Sequence, residues 1–319
     1  MFSWDRLARP VIGLAPMADL TDSPFCRTVK DISKPVIFRE MISAEAVVRG
    51  NERTRKMAAF HNDERPIIQQ IFGGDPAVLA EAARIIEELH APDGFDINMG
   101  CPAPKLTSNF NGASLMRRPE RAMDIVRAVK RATGRPVSVK TRLGWTDPRD
   151  IMEFAPALEQ AGVDLISIHG RTKEQGFSGT ADWEMIGRAK SLVSVPVLGN
   201  GDVTDTGQAL DRLRSSGCDG LLIGRGALGN PWIFRELEAV LRGEAASPPS
   251  WRERLVLIRR HAHRHVEHYG DERSVITFRK HLVWYFKGFP GAKRHRTRLM
   301  SVSGLAELDG LLDEIGADR

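Results

Sequence analysis

Residues 66–106 read PIIQQIFGGDPAVLAEAARIIEELHAPDGFDINMGCPAPKL and contain two apolar runs separated by an amphipathic segment. The runs PIIQQIFG and FDINMGC are short and rich in β-branched or aromatic residues, as buried strands are. Between them, PAVLAEAARIIEELH has the period of a helix with one apolar face. A strand, a helix and a second strand in this order predict a parallel βαβ unit.

The same alternation of strand and helix recurs through most of the chain. The other apolar runs are VIGLAPM from residue 11, PVIFREM from 35, PVSVKTRLG from 136, LISIHGR from 165, PVLGNGD from 196 and GLLIGRG from 220. Eight such units in about 230 residues predict a (β/α)₈ TIM barrel. A doubly wound open sheet is the main alternative.

The polar residues of these runs stand at their ends. Almost every run begins apolar and finishes in a polar or glycine-rich cluster, such as QQ, NMGC, KTR, HGR or NGD. In a TIM barrel these clusters are the carboxyl ends of the strands, where catalytic groups gather. The pattern therefore favours an enzyme with its active site at that end of the barrel.

The alternation stops near residue 243, where GEAASPPS has the composition of a linker. The residues that follow have helical periodicity and no strand signals. The sequence therefore predicts an α/β fold with two domains: a TIM barrel over residues 1–243, followed by a small all-helical C-terminal domain over residues 244–319.

Charge is distributed unevenly along the 319 residues. Residues 245–319 hold 14 Lys and Arg against 9 Asp and Glu, which accounts for the whole net charge of +5. Six of the nine histidines also lie there. This asymmetry indicates either a surface that meets a polyanion or a solvated basic helical surface.

Cysteine usage and hydrophobicity suggest the compartment. Cys26, Cys101 and Cys218 form no CxxC pair and no metal-type cluster, so we expect neither disulfides nor a metal site. The first residues lack the basic start and apolar run of a signal peptide, and no apolar run approaches the ~20 residues of a membrane span. These features predict a cytoplasmic protein that has no membrane partner.

Residues 224–229, GRGALG, match the G-x-G-x-x-G pattern of nucleotide-binding turns. The match lies in the last βα unit, where no further strands could complete a Rossmann half. In a barrel, the loops after the last two strands commonly bind phosphate. We interpret NGD and GRG as two halves of a phosphate clamp, with two ordinary glycine turns as the alternative.

Taken together, the strand ends resemble the tRNA-dihydrouridine synthases, and most of all the bacterial B-type enzymes. The pieces that carry the resemblance are APMADLTDSPFCR at 15–27, QIFGGDP at 70–76, DINMGCPAPKL at 96–106, VKTRLGW at 139–145, HGRTKEQGFSGTADW at 169–183, NGDV at 200–203, GRGALGNPWIF at 224–234 and HLVWYFKGFPGAKRHR at 281–296. They span nearly the whole chain. The loop TSNFNG at 107–112 departs from the more glycine-rich loop that the family usually has.

The resemblance implies an enzyme that reduces uridines of tRNA to 5,6-dihydrouridine with FMN, which NADPH recharges. It implies that hydride reaches carbon 6 of the uracil and that Cys101 gives a proton to carbon 5. A thiol suits that role, because its reference pKa of about 8.5 keeps it protonated at neutral pH. The alternative for Cys101 is a small apolar residue at a turn, and burial as a hydrophobe is our prediction for Cys26 and Cys218.

The resemblance also implies which residues contact the cofactor and the substrate. The FMN ligands would be Pro16, Met17, Ala18, Gln70, Lys140, His169, Asn200, Gly201, Asp202, Gly224 and Arg225. For His169, a contact with the target base or with its own loop alone is the alternative. Asn98 and Arg142 would contact the uracil edge, and Asp96, Arg171 and Lys173 are weaker candidates. The basic residues predicted to bind tRNA are Lys287, Lys293, Arg294, Arg296 and Arg298. The neighbouring aromatic residues, Phe278, Trp284, Tyr285 and Phe286, are predicted to belong mostly to the core of the helical domain.

Two other functions fit parts of the sequence. One is a flavin barrel that acts on a free pyrimidine, as dihydroorotate dehydrogenases do, although it would need no basic C-terminal domain. The other is an RNA-binding or chaperone-like protein with a vestigial barrel, against which the intact polar strand ends argue. We predict a monomer. Which uridine is reduced depends on how the helical domain orients tRNA, and no short motif encodes that orientation.

Overall fold

The computed structural model describes residues 2–288 and 292–317, and the elements below lie within them. The strands are β1 (Val11–Leu14), β2 (Val36–Phe38), β3 (Ile42–Ser43), β4 (Ile67–Phe72), β5 (Gly94–Met99), β6 (Val137–Arg142), β7 (Leu165–His169), β8 (Val197–Asn200) and β9 (Gly220–Ile223). The α-helices are α1 (Ser23–Lys30), α2 (Ala44–Val48), α3 (Glu52–Met57), α4 (Pro76–His90), α5 (Pro104–Thr107), α6 (Pro119–Ala132), α7 (Ile151–Gln160), α8 (Trp183–Lys190), α9 (Thr206–Ser216), α10 (Ile233–Leu241), α11 (Trp251–Tyr269), α12 (Val275–Tyr285), α13 (Ala292–Ser301) and α14 (Leu305–Ala317).

The strands form a closed parallel barrel. Their order is β2-β1-β9-β8-β7-β6-β5-β4, and β2 also pairs with β4, which closes a ring of eight strands. The two-residue strand β3 pairs with the end of β4 outside this ring and was not predicted. The predicted TIM barrel is confirmed. The alternative of an open doubly wound sheet is wrong, because in an open sheet β2 and β4 would not pair with each other.

Local sequence signals account for the ends of the helices. Asp75 caps α4 by accepting hydrogen bonds from the backbone N–H groups of Ala77 and Val78, at 2.9 and 3.1 Å. Ser250 and Glu253 form a reciprocal capping box at the start of α11, and Gly270 ends that helix in the left-handed conformation at φ 69°. These caps explain why the helices begin and end where the hydrophobic pattern changes.

The chain divides into two compact units. The first comprises Met1–Asp19 and Pro35–Gly224 and contains the barrel, and the second comprises Leu20–Lys34 and Arg225–Arg319. The second unit therefore combines α1 with α10–α14. Its core contains buried residues of α11, α12, α13 and α14, among them Ile258, Phe278 and Leu312. The predicted division of roles between residues 1–243 and 244–319 stays a prediction.

In the part of the chain that the structure describes, no helix has both the length and the apolar character that crossing a membrane requires.

Candidate active site at the barrel rim

The barrel rim, meaning the carboxyl ends of the barrel strands and the loops that follow them, collects most of the predicted site residues. The register sets polar residues side by side on neighbouring strands: Gln70 lies opposite Asp96, and His169 lies opposite both Arg142 and Asn200. Each of these side chains is at most 9% exposed. The polar groups were predicted to be near one another because strand ends in a parallel barrel meet at one edge.

A chain of hydrogen bonds links β4 and β5 at the rim. The Gln70 amide donates to Asp96 Oδ2 at 2.6 Å, and Asn98 Nδ2 donates to Gln70 Oε1 at 2.9 Å. Ser138 Oγ donates to the other oxygen of Asp96, also at 2.6 Å. Burial raises the pKa of Asp96 to about 6, while the bonds from Ser138 and Gln70 oppose that rise. Asp96 thus fixes the direction in which both amides point.

The far end of this chain holds the loop that carries Cys101. Asn98 Oδ1 accepts hydrogen bonds from the backbone N–H groups of Gly100 and Cys101, at 3.2 and 3.0 Å. The Cys101 carbonyl accepts from Ala113 N at 3.1 Å. Gly112 is at φ +59°, and a Cβ there would lie 2.8 Å from that carbonyl, so only glycine fits. Backbone contacts on both sides therefore position Cys101, which is a free and partly exposed cysteine.

A second polar group joins β6, β7 and β8. Asn200 Oδ1 accepts from Lys140 Nζ and from His169 Nδ1, both at 3.0 Å, while Asn200 Nδ2 donates to the carbonyl of Leu222 at 2.8 Å. This arrangement places the imidazole proton on Nδ1. Burial, then Lys140 and Arg142, lower the pKa of His169 to about 2, so the ring is neutral. Its Nε2 faces a guanidinium nitrogen of Arg171 at 3.4 Å.

Two cations lie on β6: Lys140 is half-buried and Arg142 is buried. Burial, followed by the charge of Arg142, lowers the pKa of Lys140 to about 8. Burial also lowers the pKa of Arg142 to about 10, and this arginine remains charged. Arg142 donates to the carbonyls of Gly100, Thr172 and Gly176 at 2.7, 3.0 and 2.8 Å. Arg142 therefore ties the Cys101 loop to the loop after β7, and its predicted contact with uracil stays a prediction.

The loops after β7 and β8 are joined by an ion pair. Arg171 Nη2 lies 2.7 Å from Asp202 Oδ2, which also accepts from Ala181 N. Gly201 is at φ +126°, and a Cβ there would lie 2.7 Å from Ala181 Cβ. Asp202 thus holds the neighbouring loop. The resemblance to the family assigns Asp202 to FMN, and that assignment stays a prediction.

The remaining predicted FMN residues follow β1 and β9. Pro16 and Met17 are half-buried and Ala18 is exposed. A Cβ at Gly224 would lie 3.5 Å from Met17 Sδ, so the bare backbone of Gly224 stands beside this loop. Arg225 is exposed and belongs to the second unit. The predicted phosphate clamp of NGD and GRG stays a prediction.

The basic residues predicted to bind tRNA lie on or near α13 in the second unit. Lys287, Arg294 and Arg296 are exposed, and Arg298 makes a two-pronged ion pair with Glu314 at 2.6 and 2.7 Å. Lys293 lies in α13, but its side chain is outside the described part of the structure. Of the four aromatic residues, Trp284 is half-buried and the other three are buried, as predicted for core residues: Phe278, Tyr285 and Phe286.

The structure separates the three cysteines. Cys26 and Cys218 are buried, as predicted, and burial raises the pKa of the Cys218 thiol to about 11. Cys101 alone is partly accessible, and it alone lies at the rim. Accessibility therefore selects the same cysteine that the motif selected.

Two residues, Phe177 and Arg39, have contacts that the sequence did not indicate. Phe177 is 58% exposed, and its ring lies 5.5 Å from the Arg142 guanidinium and 6.2 Å from the His169 ring. Its position in GFSG, between Gly176 and Gly179 at positive φ, was the available signal. Arg39, from the cluster REM, instead makes a buried ion pair with Glu64 at 3.2 Å. That strand end supports the fold.

Comparison with protein families identifies relatives over nearly the entire chain. The model of the family described as dihydrouridine synthase (Dus) matches residues 13–317. A probable tRNA-dihydrouridine synthase of Mycobacterium tuberculosis H37Rv is 39% identical, covering 97% of this chain and 83% of that protein. Probable tRNA-dihydrouridine synthases of Rickettsia conorii and Rhodobacter capsulatus are 37% and 40% identical, covering 89% and 88% of this chain and 86% and 87% of those proteins.

Solved structures show a similar fold at low sequence identity. A 2-naphthoyl-CoA reductase complex has a TM-score of 0.56 over 73% of this chain and 50% of that one. A histamine dehydrogenase from Rhizobium sp. 4-9 has a TM-score of 0.58 over 78% of this chain and 48% of that one. Both are 13% identical, and this chain spans about half the length of each. The similarity concerns the fold alone.

Proposed function

The chain belongs to the dihydrouridine synthase family and is an enzyme of that family, and on this premise we propose that it reduces uridines of tRNA to 5,6-dihydrouridine with FMN as cofactor and NADPH as reductant. The observation that carries the proposal is the position of Cys101. Its loop is held at the rim by Asn98, and its thiol is partly accessible. A proton donor needs this combination of a fixed backbone and an available S–H group.

The polar groups of the rim fit a flavin. The pyrimidine part of a flavin carries oxygen and nitrogen acceptors and one N–H donor, which suit amides and cations. Gln70 retains one amide hydrogen beyond its bond to Asp96, and Lys140 retains two ammonium hydrogens beyond its bond to Asn200. Gly224 and Gly201 present backbone without side chains at the ends of the last two strands. These residues would hold FMN.

The chemistry that FMN supplies when bound is hydride transfer to carbon 6 of the uracil. Cys101 would complete the reduction: its S–H bond breaks and the proton goes to carbon 5, leaving a thiolate. The thiolate would lie within the electrostatic reach of Lys140 and Arg142, since the charge of Cys101 acts on the pKa of both. These cations would stabilise the negative charge that proton transfer creates.

Lys140 has a second proposed role. A cation beside a reduced flavin stabilises the negative charge on its pyrimidine ring. With a pKa of about 8, Lys140 is mostly protonated at neutral pH. His169 is neutral and donates through Nδ1 to Asn200, so it would hold Asn200 and leave Nε2 toward Arg171. In this proposal His169 orients polar groups and transfers no proton.

The helical part, residues 244–319, would bind tRNA. The exposed side chains of Lys287, Arg294 and Arg296 are suited to phosphate contacts. Such contacts would offset the cost of about a few kcal/mol for unstacking the target base. A cytoplasmic location and a monomeric state accompany this proposal.

The test is a reduction assay with the purified full chain. The protein should be yellow, should bind FMN in a one-to-one ratio and should consume NADPH when given tRNA transcribed without modifications. Mass spectrometry of the tRNA should find uridines that have gained two hydrogens. A protein that fails to take up FMN would overturn the proposal.

The same assay separates the two other functions. NADPH consumption with a free pyrimidine such as orotate, and none with tRNA, would support the dihydroorotate dehydrogenase-like alternative. Tight tRNA binding with neither NADPH consumption nor dihydrouridine would support an RNA-binding protein with a vestigial barrel.

A further inference from the structure

Three buried side chains converge inside the second unit: Asp22, His261 and His281. They come from the N-cap of α1, from α11 and from α12, and they are only 1%, 0% and 2% exposed. One nitrogen or oxygen atom from each lies within 4.8 Å of the others. We call these three residues the buried cluster.

One ring nitrogen of each histidine in the buried cluster lacks a hydrogen-bond partner among the described residues. Nε2 of His261 and Nε2 of His281 are inaccessible and make no hydrogen bond with any residue that the structure describes. The same holds for Nδ1 of His265, which lies 3.7 Å from Asp22 Oδ2. A buried polar atom left unpaired costs about 1–3 kcal/mol. Three such nitrogens around one carboxylate point to a ligand that pairs them.

The other ring nitrogens of His261 and His265, and the carboxylate of Asp22, have partners. His261 Nδ1 lies 3.0 Å from Tyr285 Oη, and His265 Nε2 lies 2.8 Å from Thr277 Oγ1. Tyr269 donates its hydroxyl proton to Asp22 Oδ2 at 3.1 Å. His261 and His265 thus have the arrangement of metal-binding histidines, in which an outer partner orients one ring nitrogen and the other is left for the ion.

Burial also perturbs the rings of these histidines. Burial lowers the pKa of His281 to about 3 and that of His265 to about 4, with Asp22 opposing both shifts and Lys280 adding to them. Burial lowers the pKa of His261 well below its usual range, and the rings of His281 and His265 and the charges of Arg264 and Lys280 add to this shift.

We propose that Asp22, His261 and His281 bind a divalent transition-metal ion, with zinc as the expected ion and His265 as the nearest additional ligand. Two imidazoles and a carboxylate are a frequent zinc ligand set. Zinc bonds of about 2.0–2.2 Å require ligand atoms roughly 3.4 Å apart, so binding would draw the side chains together. The site is closed to solvent, so the ion would be structural and would join α1 to α11 and α12.

This inference is independent of the proposed catalytic function. It also replaces the expectation of no metal, which was drawn from cysteine spacing. The ligands here are an aspartate and histidines far apart in sequence, and only folding brings them together.

The test measures metal in the full chain, purified without a histidine tag from medium containing zinc. We expect about one zinc per chain by mass spectrometry, and visible absorption from cobalt(II) substituted at the site. His261→Gln and His281→Gln should each reduce bound metal at least tenfold. Asp22→Asn should also reduce it, while keeping an acceptor for the Phe25 N–H that Asp22 caps.

The matched control is His263→Gln, since His263 lies on the same helix but is exposed. It should retain the metal. Wild-type protein holding less than a tenth of an equivalent after incubation with zinc would overturn the proposal, as would equal metal in wild type and His261→Gln. If the ligand variants do not fold, the wild type decides: chelation must remove the metal and lower the Tm, and an unchanged Tm would overturn a structural ion.

Discussion

The barrel rim and the buried cluster both place charged and polar side chains out of water, yet they treat them differently. At the rim, hydrogen bonds join Asp96 to Gln70 and Gln70 to Asn98. Asn98 in turn holds the backbone of Cys101. In the buried cluster, the inward nitrogens of His261 and His281 have no partner among the described residues.

The difference separates positioning from binding. A chain of polar side chains that hydrogen-bond to one another fixes a geometry. At the rim, this chain ends at the loop of Cys101, whose thiol is left to donate a proton. A group of buried polar atoms without hydrogen-bond partners does not fix a geometry in this way, and it gains stability from a ligand that pairs them. Burial perturbs pKa values in both regions, so perturbed pKa values alone do not distinguish them.

The largest expected effect tests whether the rim exists to position Cys101. Cys101→Ala should reduce the rate of dihydrouridine formation by about 10²–10⁴-fold, the usual contribution of a general acid. FMN binding should remain, because the polar groups that would hold FMN are unchanged. The measurements are single-turnover reduction of tRNA and flavin absorbance.

The buried Cys218 supplies the control for this variant. Cys218→Ala removes a thiol that lies away from the rim and should leave the rate within a few-fold of wild type. A Cys101→Ala enzyme with an unaltered rate would show that the proton comes from elsewhere, and the rim would then lack its proposed purpose.

The second prediction tests whether burial of the Asp96 carboxylate lowers the free energy of unfolding. Its folded pKa of about 6 exceeds the ordinary 3.8, so the folded protein binds the proton more tightly than the unfolded chain does. Below pH 3.8 the group contributes nothing; as pH rises toward 6 it destabilises the fold, by about 3 kcal/mol at most. Asp96→Asn should therefore gain stability relative to wild type between pH 4 and 6.5, and the gain should be constant above that range.

Asparagine can preserve the geometry while it removes the charge. Its oxygen can accept from Gln70 and its amide can donate to Ser138 Oγ, so the hydrogen-bond chain survives. Unfolding by denaturant at several pH values measures the effect, and Asp211→Asn, at an exposed position, controls for net charge. A stability difference between the variant and wild type that does not change with pH would show that burial does not raise the pKa of Asp96.

The barrel was predictable from the sequence because its signals are local and repeated. All eight apolar runs, such as FDINMGC and LISIHGR, are strands of the barrel, and their polar ends lie at the rim. Parallel strands separated by helices leave few other topologies. Only β3, two residues long, had too short a pattern to be recognised.

Long-range contacts were not predictable. The segment Leu20–Lys34 belongs to the second unit although it lies between β1 and β2 in sequence, and no periodicity marks that exchange. The buried cluster depends on this exchange, because Asp22 lies in the segment Leu20–Lys34 and meets His261 and His281 within the second unit. In the same way, REM and HGR look alike as strand ends, but Arg39 bonds to Glu64 from a loop 25 residues away, whereas His169 bonds to Asn200 on the neighbouring strand.

The third prediction concerns Lys140, whose pKa of about 8 makes it the rim cation that titrates near neutrality. It is protonated below pH 8 and loses its charge above. The affinity of the protein for FMN should therefore fall between pH 8 and 9.5, by at most tenfold per pH unit. Lys140→Met should bind FMN more weakly at pH 7 and should show no such fall.

Flavin fluorescence measures this affinity without depending on turnover, since thiols titrate in the same pH range. Lys173→Met is the matched control, because Lys173 stacks on Trp145 at 4.3 Å instead of bonding to Asn200. If Lys140→Met and wild type showed the same pH dependence, another group would be responsible.

The smallest expected effect extends the comparison to the surface of the second unit, where Arg296 and Arg298 lie on one helix. Both are exposed, but Arg298 is held by both oxygens of Glu314, whereas the structure gives Arg296 no ion pair among its described residues. Arg296→Ala should weaken tRNA binding about fivefold and should reduce the slope of log affinity against log salt by nearly one, because one phosphate contact is lost. Arg298→Ala should change both less, since its charge is already partly neutralised. Filter binding over a range of salt concentrations measures both variants. Equal losses of affinity would show that tRNA displaces Glu314 from Arg298, so that Arg298 contacts RNA despite its ion pair.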